Sequence, residues 1–115
     1  MRRNTGFPPI VRSLIHDRSG GQCEKCGERY SDMQIHHRRP RGMGGTRRSD
    51  TNTAAGGVLL CGACHRHVEA HRAQAFTDGF LVRQSQTPAE VPVLIRGALS
   101  LLSIDGSYLP AEEVA

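Results

Sequence analysis

The stretch that decides the fold is Cys23-Glu24-Lys25-Cys26-Gly27, answered later in the chain by Cys61-Gly62-Ala63-Cys64-His65. A tetrahedral zinc ion takes four thiolates most readily from two such tight pairs. The 34 residues between the knuckles exceed the roughly 15 to 20 of a simple zinc ribbon, so a further element is inserted between them. The alternative is a pair of disulfides or buried free thiols. The N-terminal stretch has no signal-peptide hydrophobic region, because Arg12 and Ser13 split Ile10-Val11 from Leu14-Ile15. A reducing compartment is therefore expected, and it disfavours structural disulfides.

The remaining composition supports a stapled domain. At 115 residues, 37% hydrophobic, 4% aromatic and without Trp, the chain suffices for one domain whose apolar burial alone leaves it marginal. Its formal charge is +4, and Lys25 is the only lysine among 15 basic side chains. Arginine forks phosphate oxygens bidentately, so this bias fits a polyanionic partner. The longest apolar stretch, Val93 to Ile104, is cut by Arg96, Gly97, Ser100 and Ser103, short of the roughly 18 to 20 residues of a membrane helix. A cytoplasmic protein without membrane contact is expected.

Residues 1–9, with Arg2, Arg3, Pro8 and Pro9, read as a flexible basic arm. Ile10, Val11, Leu14 and Ile15 form a helical stripe that Ser19-Gly20-Gly21 stops. Residues 38–57 are polar, arginine-rich and glycine-rich, which predicts a long exposed loop ordered around its ends. Val58-Leu59-Leu60 predicts a short strand. Residues 65–78 predict one helix capped by Gly79. Phe80-Leu81-Val82, Val91 to Ile95 and Leu99 to Ile104 are strand-like, and Asp105-Gly106 signals a hairpin. Residues 84–115 thus form a C-terminal β segment with an acidic tail, without a usable motif, which completes the core or meets a partner.

Five of the six histidines lie inside or just after the knuckles: His36, His37, His65, His67 and His71. The combination Cys23-x-x-Cys26-Gly27, His36-His37-Arg38-Arg39-Pro40-Arg41-Gly42-Met43-Gly44-Gly45 and Leu59-Leu60-Cys61-x-x-Cys64-His65 resembles the HNH endonucleases. Within these ββα-metal nucleases it is similar to the small zinc-stapled versions found in phages of actinobacteria. The resemblance spans roughly residues 10–83. It implies an α+β fold, a zinc-stabilised ββα-metal domain with an N-terminal helix and a C-terminal β segment, in which Cys23, Cys26, Cys61 and Cys64 hold the structural zinc.

The resemblance further implies that His36 is a ligand of a catalytic divalent ion and that His37 is the general base activating a water. Neighbouring strand residues point to opposite faces, which suits such a division of labour, and a neutral imidazole can take a proton at pH 7. His65 would be the second ligand, with a third expected one turn later. Glu69 lies about 40° round a helix from His65, whereas His67 and His71 lie about 200° and 240° away. Glu69 is therefore preferred and His71 is the alternative. A carboxylate beside two imidazoles suits Mg²⁺ or Mn²⁺, and Ni²⁺ or Zn²⁺ would also be accepted.

The family's Asn, which holds the base His in position, falls in register on Gly56, which has no side chain; Asn52, the only Asn between the knuckles, takes the role instead. Arg38, Arg39, Arg41, Arg47 and Arg48 are candidate phosphate contacts or parts of a solvated loop. The expected function is hydrolysis of DNA phosphodiester bonds, with the resemblance implying work beside a phage terminase in DNA packaging. The alternatives are a non-catalytic zinc-stabilised DNA-binding module and, resting on the C-terminal β segment, a protein-interaction module.

Overall fold

The computed structural model describes residues 6–40 and 50–111. The first helix, α1 (Pro9–Ser19), starts with a proline in its first turn, where no intrahelical N–H is needed. It ends where Gly20 takes the left-handed conformation (φ 66°) and the N–H groups of Gly20 and Gly21 close onto Asp17 and His16. The first knuckle follows. Strand β1 (Gln34–His37) then pairs antiparallel with β2 (Gly57–Leu60), placing His36 opposite Val58 and His37 opposite Gly57. Every residue of β2 is buried, as its apolar run requires.

The helix expected over residues 65–78 is two helices, α2 (Gly62–Ala70) and α3 (Arg72–Asp78). His71 interrupts them with non-helical backbone (φ −125°, ψ 61°), while its N–H bonds to the His67 carbonyl and its carbonyl accepts from Ala75. No Gly or Pro marks the break, so no local signal announces it. Gly79 caps α3 as expected (φ 87°), with the Pro92 carbonyl so near that a β-carbon there would sit 2.0 Å from it. The predicted strand Phe80-Leu81-Val82 is buried chain that bends at Phe80 and Leu81. The Leu81 and Val82 N–H groups bond to single carbonyls, of Ala75 and Arg38, so no ladder forms.

The C-terminal part is a meander of β3 (Val93–Ile95), β4 (Ala98–Leu102) and β5 (Tyr108–Pro110), with the expected turn around Asp105-Gly106. It is not an appendage. Val93, Ile95 and Leu102 pack in one buried cluster with Cys23, Leu60, Cys61 and Phe80. The described residues thus form a small α+β domain of three α-helices and two small sheets. No helix among them is long and apolar enough to cross a membrane.

Two further features differ from the sequence expectation. Phe7, within the expected N-terminal arm, is buried in a second apolar cluster with Ile15, Ala54 and Leu59; residues 1–5 of that arm lie outside the described residues. The ends of the long loop are buried too, at Arg38, Arg39, Thr51, Ala54 and Ala55. A charged knot joins the parts. Glu24, fully buried, accepts two hydrogen bonds from Arg18, one from the Leu59 N–H and one from the Tyr108 hydroxyl at 2.6 Å. Arg18 also donates to the carbonyls of Ala54 and Gly57. Helix α1, the first knuckle, β2 and β5 therefore meet at one carboxylate, whose lone pairs are well occupied. Burial, reinforced by this carboxylate, pushes the Tyr108 hydroxyl up to about 12, so it remains a donor.

Candidate metal and catalytic centre

The two knuckles bring the sulfurs of Cys23, Cys26, Cys61 and Cys64 within 4.8 Å of one another, and all four thiols are free of disulfides. The Cys26 and Cys61 sulfurs are 4.0 Å apart, close to the edge of about 3.8 Å that Zn–S bonds of about 2.3 Å impose on a tetrahedron. Each knuckle turns its backbone onto its first sulfur. The Cys26 N–H donates to Cys23 Sγ and the Cys64 N–H to Cys61 Sγ, both at 3.5 Å. Burial, the largest single influence on Cys23, pushes its thiol up, but backbone donors around it outweigh burial and bring it down to about 7. A thiolate is accessible there at neutral pH. Four free thiols this close together could hold a metal such as zinc and thereby staple the domain.

A second cluster forms where β1 meets α2. His36, His65 and Glu69 offer ligand atoms all within 4.8 Å of one another. The Nε2 of His36 lies 2.9 Å from the Phe80 carbonyl, which can only accept, so Nε2 carries the proton and Nδ1 keeps its lone pair. That Nδ1 lies 3.9 Å from Glu69 Oε2. Burial lowers the His36 pKa to about 4, so the ring is neutral at pH 7 and fit to ligate. The donor set thus suits a divalent ion, and Glu69, about half exposed, can close the remaining distance. His71 is not in this cluster; it stacks on His67 with ring centroids 4.2 Å apart.

The low pKa of His36 carries a stability consequence. Its folded value lies below its unfolded value, so the unfolded chain binds more protons, and the contribution is full above about pH 6.5 and lost as pH falls toward 4. Denaturation midpoints of the protein with its four-cysteine site loaded, compared at pH 7 and pH 5, are expected to fall more for wild type than for His36→Asn. Equal falls would remove His36 as a cause.

His37 projects from the same strand into different company. Its Nε2 is 2.7 Å from the Asn52 carboxamide oxygen, and its ring stacks on Phe7 at 4.1 Å between centroids and 13° between planes. Two glycines make this possible. A β-carbon on Gly56 would sit 2.4 Å from the Thr51 carbonyl, and one on Gly57 would sit 2.6 Å from Phe7. The loop backbone therefore occupies the space a Gly56 side chain would need, and the same loop delivers Asn52 from four residues earlier. A cleft of about 310 Å³ holds His36, His37, Pro40, His65, Glu69 and Arg72 in its walls.

The arginines correct the sequence expectation. Arg38 and Arg39 are fully buried and are unavailable to phosphate. Arg38 donates to the carbonyls of Gly79, Ala55, Pro88 and Val91 at 2.7 to 3.0 Å; burial lowers its pKa to about 9, which leaves it charged at neutral pH. Arg39 holds Asp50, Thr51 and the Gln86 carbonyl. Both side chains pin the loop ends to the C-terminal half, because a guanidinium can satisfy several carbonyls that would otherwise be buried bare. Arg41, Arg47 and Arg48 lie outside the described residues.

Sequence reasoning missed Phe7 and Arg72. Arg72 sits in the cleft wall and donates to Glu69 Oε1 at 3.1 Å. Its spacing from Glu69, three residues along the chain, was a usable signal; the stacking of Phe7 on a histidine 30 residues away had none. No protein-family model and no curated protein matches this chain.

Proposed function

We propose that this chain is a metal-dependent endonuclease of the HNH, ββα-metal type that hydrolyses phosphodiester bonds in DNA. The observation that carries the reading is the pair on β1: His36 lies with His65 and Glu69, while its neighbour His37 lies with Asn52. One group of donors suits a divalent ion, and beside it stands an imidazole whose tautomer is set by a neighbour.

His37 is the general base in this reading. Asn52 accepts the Nε2–H, so the lone pair resides on Nδ1, and Phe7 holds the plane of the ring. His36, His65 and Glu69 would hold Mg²⁺ or Mn²⁺, with Ni²⁺ or Zn²⁺ as substitutes. Such an ion, when bound, supplies Lewis-acid stabilisation of charge on the phosphoryl and leaving oxygens. Arg72 holds Glu69 toward the ligand cluster, and its guanidinium faces the cleft where a phosphate would lie. Cys23, Cys26, Cys61 and Cys64 would hold a structural zinc, which would tie α2 to the first knuckle and so keep His65 and Glu69 beside β1.

The test is nicking of supercoiled plasmid by zinc-loaded protein given Mg²⁺, Mn²⁺ or Ni²⁺, beside His37→Ala of matched zinc content and circular dichroism. Metal-dependent nicking is expected, reduced about a hundredfold or more in the variant, as for loss of a general base. Folded wild type that binds DNA but nicks it in none of these metals would instead indicate a zinc-stabilised binding module. Equal nicking by both proteins would remove His37 from the chemistry.

A further inference from the structure

With Arg38 and Arg39 turned inward, the phosphates flanking the scissile one need other partners, and a second cleft supplies them. It has a volume of about 360 Å³, and its walls include Phe7, Arg12, His16, Gln34, Ile35 and His37. Gln34, Ile35 and His37 also line the cleft of the metal-ligand cluster, so the two depressions adjoin along β1 with His37 common to both. A chain of phosphates engaged at His36, His65 and Glu69 can continue past His37 into this second depression.

Its far wall is α1. Arg12 and His16 lie four residues apart, one turn on the same helical face, and both are exposed. Among the described residues neither side chain has a hydrogen-bond or ion-pair partner, whereas Arg18, Arg38, Arg39, Arg72 and Arg96 are each engaged by a carboxylate or a carbonyl. Arg29, Arg66 and Arg83 likewise have no such partner, but of these three and Arg12 only Arg12 lines either cleft. An arginine that serves no internal contact, set in a concave wall beside a histidine and next to the proposed base, has the chemistry of a phosphate fork. The lining also includes apolar Met33, Ile35 and Leu59, which suits the sugar face of a strand.

We infer that Arg12 and His16 form a backbone-phosphate subsite that positions the DNA strand next to the cleavage site. This rests on the nuclease reading for its place along the strand. Arg12 and His16 are positioning residues, since neither reaches the metal-ligand cluster.

Binding of the zinc-loaded full chain to a fluorescent DNA duplex, without added catalytic metal, tests the subsite over a range of salt, with plasmid nicking measured in parallel. Arg12→Ala is expected to bind roughly tenfold more weakly at low salt and to lose about 0.9 from the slope of log affinity against log salt, the signature of one phosphate contact. His16→Ala is expected to lose less. Nicking by Arg12→Ala should show a raised KM with kcat largely retained. Arg29→Ala, an exposed arginine that lines neither cleft, is the control. Wild type that nicks while Arg12→Ala keeps its affinity, slope and KM overturns the subsite and leaves the nuclease reading standing. Equal losses in Arg29→Ala and Arg12→Ala also overturn it, because the contact would then be diffuse. An Arg12-dependent slope without nicking supports the subsite and removes the nuclease reading. Wild type that neither binds nor nicks removes both.

Discussion

Chelation of zinc loaded onto the four cysteines is expected to unfold most of the domain. Cys23 and Cys61 are buried in the same cluster as Leu60, Phe80, Ile95 and Leu102, so the knuckles form part of the core itself. Only 4% of residues are aromatic, and domains of this size have total stabilities of about 5 to 15 kcal/mol. Structural zinc in small domains contributes an apparent free energy of about 10 to 16 kcal/mol at pH 7, comparable to the whole. Without an ion, the exposed Cys26 and the half-buried Cys64 lose the bonds that would tie their sulfurs to those of Cys23 and Cys61. Cys61→Ser should behave as the chelated protein does, with loss of helical circular dichroism and a released metal equivalent measured by a colorimetric chelator. Chelated protein that kept its full spectrum and thermal midpoint would falsify the stapled fold.

Replacing Arg38 by Ala is expected to cost about 4 kcal/mol or more. Truncation strips the side-chain donors from the carbonyls of Gly79, Ala55, Pro88 and Val91 together, and an unsatisfied buried acceptor costs about 1 to 3 kcal/mol. These carbonyls come from three separate segments, because Pro88 and Val91 share one short turn, so the loss loosens the loop end, the cap of α3 and the chain leading into β3 at once. Arg38→Lys should recover little, because an ammonium lacks the planar fork that reaches all four. Denaturant midpoints check the prediction, with the exposed Arg12→Ala as the folded comparison. An Arg38→Ala protein as stable as wild type but weaker in DNA binding would return Arg38 to the role of phosphate contact.

The two arginines show where reading from sequence stops. Composition counts charges and predicts a polyanion partner, but it carries no direction for a side chain. Arg38 and Arg39 sit in a polar, glycine-rich stretch and yet point inward, because the chain ends they join lie 41 to 53 residues away from Arg38. Phe7 is similar: its partners, His37 and Gly57, are brought to it only when the hairpin packs on α1. The break at His71 has no Gly or Pro to announce it and arises in the packing of α2 and α3.

What the sequence by itself determined was whatever depends on spacing within a turn or a strand. Each Cys-x-x-Cys knuckle set its own two sulfurs side by side; the four-residue step from His65 set Glu69 beside it on α2; and alternation along β1 sent His36 and His37 to different surroundings. Helical and strand periodicities dictate these relations wherever the element ends up. Only the tertiary structure decided that Phe7 would stack on His37, that Arg38 and Arg39 would point inward, and that residues 93–102 would close the same core as the knuckles. Those relations join segments distant in sequence, and their outcome is set by burial of apolar area and by the need to satisfy every buried polar group, quantities that exist only once the chain has packed.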